Sequence, residues 1–258
     1  MLWQNSIICM ILQGNSNHIN AVIISPDGTK VLSASSDKTL KLWNLETGEA
    51  LLTLTGHHYP IDAVSFTSDG SKAISVSFDS TLKLWNLQTG EVLLTLSGDE
   101  YGINAASFSP DGTKALSSYN SNYLTLWNLE TGEELLTFTG DFEEVNVINF
   151  SPDGTKALSA SYGFPLTLWN LETGKKILTL NGDFEEINAI GFTPDGSKAI
   201  LVGEQSTVNV WNLETGEEIL TLNGDFEEVN AISFTPDGSK AILIGEHANI
   251  KVSNLETG

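Results

Sequence analysis

SPDGTKVLSASSDKTLKLWNLETGEALLTLTG, residues 25–56, holds a Pro-Asp-Gly reversal and three short runs rich in β-branched and apolar residues. Runs of that length bounded by turn residues read as strands; nothing in the stretch has a helical period. Proline presets φ, Asp-Gly supplies the positive φ of a tight reversal, and the glycine of NLETGE does the same at the next one. The stretch recurs along the chain. Its Asp-Gly glycine returns at Gly28, Gly70, Gly112, Gly154, Gly196 and Gly238, each 42 residues after the last. Trp43, Trp85, Trp127, Trp169 and Trp211 keep the same step until Ser253 takes the sixth place, and an asparagine follows each, from Asn44 to Asn254.

Six units of 42 residues occupy positions 7–258 behind a six-residue leader, so a single domain over residues 1–258 is expected. Each unit yields four strands: one after the Gly14-type position, one after the Asp-Gly turn, one ending in Leu-Trp-Asn, and one after Thr-Gly. A four-stranded sheet that is apolar on both faces must press both against copies of itself, and radial packing of such sheets gives a propeller. The expected fold is all-β, a six-bladed β-propeller of four-stranded antiparallel blades. Residues 7–13, IICMILQ, stand where EALLTLT stands in the next unit, while the chain stops at Gly258 before a last fourth strand. Residues 7–13 are therefore expected to join the last blade and close the ring, which leaves no open edge. Ser253, in place of a tryptophan, is expected to mark the weakest blade.

Acidic residues outnumber basic ones 33 to 12, and the net charge of −21 repels nucleic acid phosphates and anionic lipid heads. Basic proteins or peptides are the favoured partners. The one cysteine, Cys9, cannot form an internal disulfide and reads as a small apolar strand residue, so the fold needs no oxidising compartment and a cytoplasmic location is expected. The start, MLWQNSIICMIL, has no basic residue ahead of its apolar run and no cleavage pattern behind it. No stretch approaches the roughly 20 apolar residues of a membrane helix. A folded monomer is expected, with an oligomer of shared blades as the alternative.

The 42-residue unit, the SPDG turn, the Leu-Trp-Asn strand end and the Gly56-His57 step together resemble the WD-repeat (tryptophan-aspartate repeat) β-propeller family across residues 7–258. The resemblance implies an interaction platform. It also implies a hydrogen-bonded set within a blade, falling here on His57, Ser75 or Ser77, Asp79 and Trp85. The second unit alone carries all four types. The first keeps Asp37 but has Asn15 for the histidine; later units place Asp99, Asp141, Asp183 and Asp225 there, with Ser121, Gly163, Gln205 and His247 for the turn aspartate. The aspartate that the family places after tryptophan is asparagine throughout, a departure that weakens the expected rigidity of each blade.

The loops after the fourth strands read GDFEE in units four to six, giving Asp141, Phe142, Glu144, then Asp183, Phe184, Glu186, then Asp225, Phe226, Glu228. On a propeller they share one face with Glu204 and Glu246 of the turns between second and third strands, and Asp99 with Glu100 extends the arc. Tyr59, Tyr101 and the three phenylalanines are candidate apolar anchors for a basic partner. The plainer reading is loops copied by duplication, whose acidity aids solubility. Asn20, Asp62, Asn104, Asn146, Asn188 and Asn230 share one position in the first strands and are expected to ring the mouth of the channel, holding water, a cation or a peptide group, or simply satisfying backbone groups. His18, His57, His58 and His247 lack metal-ligand spacing, no glycine-rich phosphate cradle leads into a helix, and neither cofactor nor metal is expected. The resulting expectation is a non-enzymatic protein–protein interaction scaffold that binds partners on its acidic loop face. The alternatives are a propeller binding small ligands (carbohydrate or cation) at repeated equivalent sites and a self-assembling structural repeat protein.

Overall fold

The computed structural model describes residues 12, 14–97, 103–119, 123–140, 145–182, 187–203, 207–223, 229–235, 239–245 and 250–254. The chain divides into two compact units, residues 1–97 and 98–258. In the first unit, one antiparallel sheet runs β1 (Ile19–Ile24), β2 (Lys30–Ser35), β3 (Thr39–Asn44), β4 (Ala50–Thr55). A second runs β5 (Ile61–Phe66), β6 (Lys72–Ser77), β7 (Thr81–Asn86), β8 (Val92–Ser97). The other unit repeats the plan with β9 (Ile103–Phe108), β10 (Lys114–Tyr119), β11 (Tyr123–Asn128), β12 (Glu134–Thr139), and then β13 (Val145–Phe150), β14 (Lys156–Ser161), β15 (Leu166–Asn170), β16 (Lys176–Leu180). It continues with β17 (Ile187–Phe192), β18 (Lys198–Gly203), β19 (Thr207–Asn212), β20 (Glu218–Asn223), and its last described sheet is β21 (Val229–Phe234), β22 (Lys240–Gly245), β23 (Ile250–Asn254). The described residues are all-β, with five four-stranded antiparallel sheets and one of three strands. The strand expected over residues 7–13 lies, apart from Leu12, outside the described residues.

The five fully described first-to-second strand reversals are built the same way. Gly28 N–H donates to the Ser25 carbonyl at 2.8 Å with Gly28 at φ 71°, a conformation that costs a glycine little. Ser25 Oγ donates to Asp27 Oδ1 at 2.5 Å, and Lys30 N–H donates back to Ser25 Oγ at 2.9 Å. Thr67 with Asp69, Ser109 with Asp111, Ser151 with Asp153 and Thr193 with Asp195 repeat the hook. Hydroxyl and backbone donors, the Ser25 hydroxyl foremost, hold the Asp27 carboxyl at about 2; Thr67 and Thr193 lead the same effect at Asp69 and Asp195, also at about 2.

Packing follows from burial on both faces. In the first unit, Leu32, Ala34, Leu40, Leu42 and Leu54 of one sheet close against Ile61, Phe66, Ala73 and Trp85 of the next. In the other unit, Leu116, Leu124, Leu126 and Phe138 close against Val145, Ile148, Phe150 and Trp169, and Leu158, Leu166, Leu168 and Leu180 against Ile187, Phe192, Leu201 and Trp211. The tryptophan of the later repeat thus seats on the earlier sheet, as where Phe138 and Trp169 meet edge to face with ring centroids 5.5 Å apart. Gly56 and Gly14 leave room for the rings: a Cβ on Gly56 would lie 3.2 Å from Trp85 Cη2, and one on Gly14 only 2.8 Å from Trp43 Cη2.

Trp85 is fully buried, so Trp85→Ala should destabilise the protein by about 3–5 kcal/mol in urea denaturation, through lost burial and the cavity left behind. Tyr162→Ala, at a residue 66% exposed, should stay within about 0.5 kcal/mol of the parent. Equal effects for the two would contradict this packing.

Candidate functional site

In the second repeat, two connections meet at one end of the sheet: residues 56–60, between β4 and β5, and residues 78–80, between β6 and β7. Side chains tie them together. Ser77 Oγ donates to the Pro60 carbonyl at 2.9 Å, and Asp79 Oδ2 accepts the His58 N–H at 2.8 Å. Beneath them, Trp85 Nε1–H donates to Ser75 Oγ at 2.8 Å and Ser75 Oγ lies 2.7 Å from His57 Nε2. The depressed pKa of His57 favours the neutral ring, in which Nε2 accepts the Ser75 hydroxyl proton and Nδ1–H donates to Asp79 Oδ2 at 2.9 Å. Burial is the largest influence on His57 and holds its pKa below the ordinary 6.5 despite Asp79. Burial pushes the Asp79 carboxyl up, but donors from Thr81, the His58 amide and His57 together bring it below its ordinary value.

The first repeat builds a shortened form of this chain. Ser33 Oγ accepts from Trp43 Nε1 at 2.9 Å and donates to Asn15 Oδ1 at 3.0 Å, while Asp37 Oδ2 takes the Ser16 N–H at 2.8 Å in the place of the His58 amide. Asparagine reaches the serine but not the aspartate, and Asn15 Nδ2 is buried without a partner. Ser117 and Ser159 accept from Trp127 and Trp169 at 2.9 and 2.8 Å. The asparagine after each tryptophan also has a defined task. Asn44 Oδ1 accepts the N–H groups of Glu46 and Thr47 at 2.8 and 2.9 Å, and Asn86, Asn128, Asn170 and Asn212 cap their turns alike. An amide oxygen accepts as a carboxylate does, so the asparagines keep these turns closed without adding charge.

Asn20, Asp62, Asn104, Asn146, Asn188 and Asn230 are each the unpaired residue where the first strand bulges against the second. Asn20 uses that freedom to donate from Nδ2 to the Ile61 carbonyl of the neighbouring sheet at 2.9 Å, and its Oδ1 accepts from Ser36 Oγ at 3.1 Å. Asp62 has no amide to donate, and burial raises its carboxyl pKa. Sequence reasoning gave the shared position but missed the bulge, which is a property of how the two strands pair.

At the loop end of these sheets, Tyr59, Phe78 and Tyr162 are 60, 62 and 66% exposed, and Lys38 Nζ sits 5.9 Å from the centroid of the Tyr59 ring. Phe78 and Tyr162 were not singled out by sequence. Asp99, Tyr101, Asp141, Phe142, Glu144, Asp183, Phe184, Glu186, Asp225, Phe226 and Glu228 lie outside the described residues, as do Glu100, Glu204 and Glu246. Among the described residues no cluster of three His, Cys, Asp or Glu could hold a metal ion, and no helix is long and apolar enough to cross a membrane.

Repeated antiparallel sheets, with a tryptophan, serine, histidine and aspartate hydrogen-bonded inside one of them, define a WD-repeat propeller. The chain belongs to the family described as the IFT122 first beta-propeller, whose sequence model matches residues 3–254. It is similar to the small ribosomal subunit protein RACK1 of Candida albicans, 57% identical over 37 residues, 14% of this chain and 12% of that protein. It is also similar to the probable E3 ubiquitin ligase complex SCF subunit sconB of Talaromyces stipitatus, 43% identical over 47 residues (18% of this chain, 7% of that protein). A periodic tryptophan protein 2 homolog of Dictyostelium discoideum is 33% identical over 55 residues, 21% of this chain and 6% of that protein. The chain thus matches only a small part of the length of each curated relative. WD-repeat propellers are generally protein-interaction scaffolds and are usually non-enzymatic.

Because the folded His57 pKa is depressed, its contribution to stability is present above pH 6.5 and is lost as pH falls through the folded value. The turn aspartates are also depressed, so their share is present above 3.8 and is lost toward 2. Urea midpoints of the parent should fall in both windows. In His57→Asn, the drop below pH 6.5 should shrink while the drop below 3.8 persists; an unchanged upper window would refute the assignment to His57.

Proposed function

We propose that this protein is a non-enzymatic protein-interaction scaffold whose partners dock on the loop end that carries the acidic GDFEE segments. The observation that carries this reading is the tying of the 56–60 and 78–80 connections to one end of one sheet by Ser77 and Asp79, with Tyr59 and Phe78 of those connections both exposed. By repeat equivalence the GDFEE loops of later units belong at the same end. Exposed aromatics amid carboxylates suit a basic protein or peptide, since the rings supply contact area and the charge supplies steering. A net charge of −21 disfavours nucleic acid and anionic membranes as partners. Two of the relatives are named as subunits of larger assemblies, a ribosomal subunit and an SCF ligase complex, in line with a place in a multiprotein complex.

The reading includes a monomeric, cytoplasmic protein whose six repeats form one domain over residues 1–258. In it the ring is closed by residues 7–13 beside the last sheet, with the six bulge residues around the channel mouth. Gly14 lying on the Trp43 ring much as Gly56 lies on Trp85 supports a preceding strand at residues 7–13.

The test is fluorescence anisotropy of a labelled lysine-rich peptide containing one tyrosine. The parent should bind with an affinity that falls steeply as salt rises. The triple variant Glu144→Lys, Glu186→Lys, Glu228→Lys should bind at least tenfold more weakly at an unchanged Tm. Undiminished binding by that variant would remove the acidic loops from the reading.

A further inference from the structure

On the outer strand of each sheet one threonine recurs, and its hydroxyl is engaged in four of the five fully described sheets. Lys41 Nζ donates to Thr53 Oγ1 and Lys83 Nζ to Thr95 Oγ1, each at 2.9 Å. Thr137 donates to Glu134, and Thr221 donates to Glu218 while accepting from Asn209 Nδ2 at 3.2 Å. The fourth repeat breaks the rule from both sides. Thr167, like Thr125 of the third repeat, stands where Lys41 and Lys83 stand, and Lys176 stands where Glu134 and Glu218 stand, so the fourth repeat has neither the lysine nor the glutamate partner. Among the described residues, Thr179 is left with no side-chain partner.

Replacing a lysine stem by a threonine also removes volume. A groove of about 500 Å³ opens beside the sheet β13–β16, lined by Thr139 and Gly140 at the end of β12 and by Pro165, Thr167, Trp169, Lys176 and Thr179. That size is in the range of small-molecule sites, roughly 300–1,000 Å³. Among the described residues its wall carries three hydroxyls and one ammonium, and the residue before Lys176 is Lys175, where other repeats carry Glu49, Glu91, Glu133 and Glu217. Two charge reversals side by side, on a chain of net charge −21, create a local preference opposite to that of the whole surface. Pro165 and the edge of Trp169 form the apolar part of the wall.

We propose that this groove binds a small organic anion, with its phosphate or carboxylate on Lys176 and the threonine hydroxyls and its carbon body against Pro165 and Trp169. The proposal goes beyond the scaffold reading, because its occupant is a small molecule of opposite charge preference. Charge-assisted bonds from an ammonium and hydroxyls would anchor the oxyanion; the rigid strand positions of Thr167 and Thr179 would set its place.

The test is amide-shift titration of the intact protein by nuclear magnetic resonance, with phenyl phosphate, benzoate and neutral benzyl alcohol as probes. Thr167→Lys refills the groove as Lys41 and Lys83 do, and Lys176→Glu restores the residue of Glu134 and Glu218, so both changes are ones the fold already accommodates in other repeats. Saturable shifts at Lys176 and Thr179 with phenyl phosphate or benzoate, weakened at least tenfold in both variants and absent with benzyl alcohol, are expected. Absence of saturable shifts with both anions, equal response to benzyl alcohol, or undiminished binding in either variant would overturn the proposal.

Discussion

A sheet of four short strands that is apolar on both faces is unstable in water alone, and in each unit it becomes dry only where another sheet covers it. The tryptophan near the end of the third strand is the main contact of that arrangement. Trp85, Trp169 and Trp211 each reach the preceding sheet, so the side chain that completes one repeat's core belongs to the next. Burying so large a ring also buries an indole N–H, which costs free energy unless it finds an acceptor. Ser33, Ser75, Ser117 and Ser159 supply one. Polar residues inside these sheets are thus a consequence of the packing residue and not a separate feature.

From that serine the hydrogen-bond chain runs outward to the loops, and its length varies with the residue at the end of the preceding strand. His57 spans the whole distance to Asp79, whereas Asn15 stops at Ser33 and leaves Asp37 to the Ser16 backbone. The loop end is therefore held more firmly at the second repeat than at the first, through a histidine kept neutral by burial. Variation among repeats falls on loops and outer strands, where packing does not dictate identity, and both proposed binding regions are found there.

Much of this was legible in the sequence because the signals were periodic. The Asp-Gly and Trp-Asn steps gave the strands and their order, and the family pattern gave the His57, Ser75, Asp79 and Trp85 positions that the structure brings into one hydrogen-bonded chain. By sequence the asparagines after tryptophan imply a loss of rigidity, yet their amide oxygens close the turns, because what the turn needs is an acceptor and not a charge. The bulges at Asn20 and its equivalents, and the partners of Thr53, Thr95, Thr137 and Thr221, were not legible. They depend on which residues face each other across strands, and register is a property of pairing that no single segment encodes. The open groove at Thr167 was hidden for the same reason: it depends on Thr167 facing Thr179 across the strands while Lys176 replaces a glutamate.

Coupling between sheets across one aromatic contact tests the central claim most directly. In a double-mutant cycle on Phe138→Leu and Trp169→Phe, followed by urea denaturation, an inter-sheet seat predicts a coupling energy of about 0.5–1.5 kcal/mol between the two residues. Strict additivity of the two changes would contradict it, and with it the view that each sheet depends on the tryptophan of the next.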